Sequence, residues 1–68
     1  MAQTVLVRGQ VAYVNPESGC GFITTKETEQ DVLFLRDSVE GSVPDVGEDV
    51  RFELIETQDG PRARDIRV

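Results

Sequence analysis

The sequence predicts a single small all-β domain, a closed or nearly closed barrel of five antiparallel strands. Three observations lead there. Asp49-Val50-Arg51-Phe52-Glu53-Leu54 alternates polar and apolar residues without a fault, the signature of a half-buried strand. Clusters of glycine, proline, asparagine and aspartate cut the rest of the chain into short pieces rich in β-formers. No segment carries an apolar stripe at helical spacing. With 68 residues there is room for one core only, and a domain of that size buries about 60% of the surface its unfolded chain exposes. Closing the sheet would remove the edges that invite aggregation.

The first strand is long: Val5, Val7, Gly9 and Val11 alternate with Leu6, Arg8, Gln10 and Ala12. Asn15-Pro16-Glu17-Ser18-Gly19 follows as a turn, with proline fixing φ and glycine free to adopt a positive one. Gly21-Phe22-Ile23-Thr24-Thr25 is the second strand, and residues Glu27 to Gln30 are expected to close a hairpin. Asp31-Val32-Leu33-Phe34-Leu35 is the third strand. Residues 37 to 48 hold Gly41, Pro44 and Gly47 and form the one long connection, in which Asp37 to Glu40 can start a short helical turn. Asp49 to Leu54 opens the fourth strand, Gln58-Asp59-Gly60-Pro61 is the next link, and Arg62 to Val68 is the last strand. There Ala63 and Ile66 are three apart, so both face inward only if a bulge intervenes. Phe34 and Phe52 are expected in the core. Phe22 is expected outside, because Ile23 takes the inward slot.

Composition excludes several chemistries. Cys20 is the only cysteine and histidine is absent, so neither an internal disulfide nor a Cys/His zinc site can form. Asp45, Glu48 and Asp49, like Glu27, Glu29 and Asp31, lack the spacing of a cation-binding loop and read as solvated surface. Cys20 has no base or histidine beside it in sequence and reads as a small replacement between two glycines. No nucleophile–base pair can be assembled, so neither an enzyme nor a cofactor is expected. No apolar run nears the ~18 residues that span a bilayer, and Met1 to Arg8 has no basic leader, so a cytoplasmic protein is expected. Thirteen acids against seven bases give a net charge of −6, and six of the bases are arginine. That balance opposes binding to a phosphate backbone. It suits either a halophilic cytoplasm of molar salt or an arginine-biased genome with an ordinary acidic surface.

Five segments resemble the cold-shock domain family. Gly9-Gln10-Val11-Ala12-Tyr13-Val14-Asn15 and Ser18-Gly19-Cys20-Gly21-Phe22-Ile23 look like that family's G-x-V-K-W-F-N and K-G-F-G-F-I. Asp31-Val32-Leu33-Phe34-Leu35 stands at its D-V-F-V-H, Gly47-x-x-Val50-x-Phe52 at its G-x-x-V-x-F, and Gly60-Pro61-Arg62-Ala63 at its G-P-x-A. The matches run in order from Gly9 to about Ile66. The resemblance implies a five-stranded Greek-key barrel of the oligonucleotide-binding kind. It also implies binding of single-stranded RNA or DNA with little sequence preference, through outward aromatics that stack on bases, and a role in melting RNA structure.

Carried over residue by residue, the platform is partial. Tyr13 stands at the family's tryptophan and Phe22 at the second aromatic of its motif. Cys20 replaces the first aromatic, and Leu33 and Leu35 replace an aromatic and a histidine. Arg36 stands where many members have a further aromatic, and a guanidinium plane can stack on a base. Arg62 falls at a polar base contact. Both platform lysines are lost, to Ala12 and Ser18. The expected nucleic-acid site is therefore Tyr13, Phe22, Leu33, Leu35, Arg36 and Arg62. An outward Leu33/Leu35 strip also suits a protein partner or a second copy of the chain, and the segment Thr4 to Val7 is a candidate cover for it.

Overall fold

The computed structural model describes residues 6–68. Its strands are β1 (Leu6–Val14), β2 (Gly21–Thr25), β3 (Thr28–Phe34), β4 (Asp49–Thr57) and β5 (Gly60–Arg67), with one 3-10 turn at Arg36–Ser38. Thr4 and Val5, read above as part of the first strand or as a cover, lie outside the described residues. The strands close into a barrel in the order β1-β2-β3-β5-β4, and β4 returns to β1. Neighbours in this circle are antiparallel except β3 and β5, which meet parallel at Leu33 and Arg62. That single parallel seam is what the long link from β3 to β4 makes possible, since it lets β4 and β5 enter as a hairpin on the far side of β1.

The core follows from alternation. Val11, Ile23, Val32, Phe34, Val50, Phe52, Ala63 and Ile66 are buried, with Val7, Val14, Val39, Val43 and Leu54 packed against them. Both phenylalanines expected inside are wholly enclosed. Register shifts fall at Val11/Tyr13, Ile23/Thr25 and Arg51/Glu53, and the first and last of these, each one extra residue, adjust this pattern. On β5, Glu53 and Arg51 oppose Arg64 and Arg67, so the later strand carries an extra residue. Asp65 takes a positive φ of 54° there, which brings Ala63 and Ile66 to the same side as the sequence spacing requires. On β1, Val11 pairs with Ile23 but Tyr13 pairs with Phe22, so Ala12 is the extra residue.

Some boundaries differ from the sequence reading. The β2–β3 hairpin turns at Lys26-Glu27, not at residues 27 to 30, because Thr25 and Thr28 pair across it and the Thr25 hydroxyl accepts from Glu27 N at 3.3 Å. Thr28-Glu29-Gln30 extends β3 with mostly exposed residues, which carry no apolar pattern to reveal a strand. Likewise Gly60 and Pro61 belong to β5, and only Gln58-Asp59 turns. Leu35 lies one residue past β3. The long link is fastened at both ends. Gly47 N donates to Val11 O (2.8 Å), Val11 N donates to Glu48 O (3.0 Å), and Val39 bridges to Ile66.

Candidate nucleic-acid interface

The β1 bulge creates the site. Strict alternation from an inward Val11 would turn Tyr13 into the core. The extra residue, Ala12, reverses that phase and sets Tyr13 outside, level with Phe22. The two rings lie 6.5 Å apart at 36°, within the range where aromatic pairs attract. Tyr13 is 52% exposed and Phe22 39%. Phe22 in turn pairs with Leu33 on β3, Leu33 with Arg62 on β5, and Arg62 with Ile55 on β4. Cross-strand partners point to the same face, so Tyr13, Phe22, Leu33, Arg62 and Ile55 form one continuous row around the barrel.

Gly21 allows this row to lie close to the wall. A β-carbon there would overlap the Tyr13 carbonyl oxygen and sit 2.8 Å from the Phe34 ring. Next to it, the turn before β2 is held by Asn15, whose side chain accepts from Glu17 N (2.9 Å) and whose carbonyl accepts from Gly19 N (2.8 Å). Gly19 has φ 76°. The stem of Arg36 packs over it, about 3.1 Å from where a β-carbon would stand.

Of the six residues expected at the site, the structure brings Tyr13, Phe22, Leu33 and Arg62 into the row. Leu33 is half-buried between Phe22 and Arg62. Leu35 is 37% exposed just beyond β3, and Arg36 stands apart from the row, on the Gly19 turn. Neither Arg36 nor Arg62 has a carboxylate within ion-pair distance among the described residues, whereas Arg64 pairs with Glu53 and Arg67 with Glu40, both at 2.7 Å. Ile55 was not anticipated. Its signal is a break in the β4 pattern, where inward Leu54 is followed by an apolar residue at an outward position. Cys20 is half-buried, its backbone N–H donating to Ser18 Oγ at 3.2 Å. No group of three or more metal-ligating side chains converges among the described residues, and no described helix is long and apolar enough to cross a membrane.

A row of outward rings beside an unpaired arginine can stack bases and meet phosphates at once. Comparison with known proteins identifies the family of this barrel. The model of the 'Cold-shock' DNA-binding domain matches residues 7–68. A cold shock-like protein of Aquifex aeolicus (strain VF5) is 38% identical over 64 residues, covering 90% of this chain and 91% of its own. Cold shock-like protein CspC of Buchnera aphidicola subsp. Acyrthosiphon pisum (strain APS) is 35% identical over 60 residues, covering 84% and 87%. With a match across nearly every described residue and a closed five-stranded barrel beneath it, the chain belongs to the cold-shock DNA-binding domain family.

Proposed function

We propose that the protein binds single-stranded RNA or DNA with little sequence preference by stacking bases on Tyr13 and Phe22. Leu33 extends the apolar floor, Leu35 adds contact at its edge, and Arg62 and Arg36 supply charge and hydrogen bonds. The observation that carries this reading is the pair of exposed rings side by side on adjacent strands. Each stacked base contributes about 1–3 kcal/mol, and every base offers a π face, so such a surface tolerates many sequences. Trapping unpaired bases would shift RNA away from its folded forms, an activity with no catalytic step. The free Cys20 and the lack of any possible internal disulfide suit a cytoplasmic setting.

Tyr13 is itself the reporter, since the chain has one tyrosine and no tryptophan. Titration with a short oligo-pyrimidine should quench its fluorescence at micromolar protein. Phe22→Ala should weaken binding by about fivefold or more, the equivalent of at least ~1 kcal/mol, while leaving the melting temperature close to that of the parent. No quenching at either low or molar salt would reject the reading. The exposed Leu35 beside Leu33 favours a second reading, an interface for a protein or for another copy of this chain. Sedimentation at high concentration separates the two: self-association through this edge should vanish in Leu35→Ser, whereas a clean monomer removes the homodimer.

A further inference from the structure

A second line of side chains crosses three strands away from the aromatic row. Arg8 on β1 pairs with Arg51 on β4, and Arg51 pairs with Arg67 on β5. All three are exposed, because Val50, Phe52 and Ile66 take the neighbouring inward positions. Strands lie about 5 Å apart, so three guanidinium-bearing residues share a band roughly 10 Å wide. Along β1 and β4 this band stands four to five residues from the row, about 13–17 Å at 3.3 Å per residue.

Like charges placed directly opposite one another destabilise a sheet. The chain has 13 acids and only 7 bases, all 13 acids within the described residues, so opposite-charge partners are plentiful. The adjoining pair Glu53 and Arg64 uses one, at 2.7 Å. The arginine band does not. Arg67 reaches Glu40 at 2.7 Å, but both side chains are more than 60% exposed, and such pairs hold weakly. Arg8 and Arg51 have no carboxylate within ion-pair distance among the described residues. A shallow depression lined by Arg8, Gly9, Asp49, Val50, Arg51 and Val68 lies between them. Asp49 is the one acid on its rim.

We infer that Arg8, Arg51 and Arg67 form a second nucleic-acid contact, which grips phosphates and makes no use of bases. An anion removes the repulsion that the free protein tolerates, and a strand too long for the aromatic row would reach the band. The inference stands apart from the stacking site and has its own probe. A phosphodiester strand of about 24 abasic units carries the charge of a nucleic acid with no base to stack.

At about 20 mM salt, where screening is weak, the parent protein should bind that strand, and Phe22→Ala should bind it equally well. Arg8→Gln/Arg51→Gln should lose roughly tenfold in affinity, with a salt slope shallower by about 1.4, from ~0.7 per phosphate contact on a single strand. Arg8→Lys/Arg51→Lys should retain most of the binding. Lys26→Glu, on the exposed β2–β3 turn, lowers the net charge by the same two units away from the band and should change little. Relief of the facing like charges is set against a net charge that goes from −6 to about −8, so the charge-matched variant also controls for any change in melting temperature. The inference is overturned if the parent ignores the abasic strand, or if the charge-matched control loses as much as the band variant. If the abasic strand binds while a short oligo-pyrimidine fails to quench Tyr13, the stacking site falls and the band stands.

Discussion

Gly21 occupies the point where three features of the barrel meet. Its chain neighbour Phe22 faces out, its β3 partner Phe34 fills the core behind it, and the Tyr13 carbonyl passes over it. A methyl group added there has no free direction, since one side is backbone and the other a fully buried ring. Overpacking of this kind costs about 1–3 kcal/mol, and one core in a domain this small supplies only about 3–5 kcal/mol in total. Gly21→Ala should therefore lower the urea midpoint by roughly a third or more, at little change in the slope with denaturant. A midpoint equal to the parent's would mean that β1 and β2 do not approach as described. At this scale the sequence was informative about environment: an inward Ile23 implied an outward Phe22, and alternation placed Phe34 and Phe52 inside. It was silent on Ile55, because an outward isoleucine next to an inward leucine looks like more core.

The bulges show where reading by element succeeds and where it stops. On β5 the spacing of Ala63 and Ile66 demanded an extra residue, and Asp65 supplies it with φ 54°. On β1, Val11-Ala12-Tyr13 reads as unbroken alternation, so periodicity alone points Tyr13 the wrong way. Its outward position came from the resemblance, and the Ala12 bulge is the physical reason for it. The β2–β3 hairpin was misplaced because Lys26-Glu27 contains none of the usual turn residues; the Thr25 hydroxyl takes over their role. The β5 bulge is open to direct test. Left-handed backbone costs a residue with a β-carbon about 1–2 kcal/mol, least for asparagine and aspartate and nothing for glycine. Asp65 is exposed, so substitution there loses little packing. Asp65→Gly should leave unfolding free energy within about 0.5 kcal/mol of the parent, its gain in φ freedom offset by unfolded-state entropy. Asp65→Val should lose about 1–2 kcal/mol, because a β-branched residue fits that φ worst. Equal stability of the two in denaturant would show that the register shift lies elsewhere.

For the whole molecule the governing quantity is a charge of −6 on a body with a radius of gyration of 11.0 Å. At 0.01 M salt the Debye length is about 30 Å, so every acid feels every other; at physiological ionic strength it is about 8 Å, and at 1 M about 3 Å. Self-repulsion of the compact state should therefore be relieved mainly below physiological salt. The melting temperature in KCl should climb through that range. What happens above it divides the two readings of the composition. An ordinary acidic surface predicts a plateau, because charges more than 8 Å apart are already screened. Adaptation to molar salt predicts a continued rise toward 1 M and beyond. KCl is the appropriate salt, since sulfate strengthens apolar burial in any protein. The same series constrains binding. Attraction between phosphate and arginine fades as the Debye length shrinks, whereas the stacking proposed for Tyr13 and Phe22 is short-ranged and should survive. A halophilic stacking protein should thus keep most of its affinity for a short oligo-pyrimidine at 1 M, while contact through Arg8 and Arg51 disappears. If the short strand is released as steeply as the abasic one, phosphate contacts and not the two rings hold it.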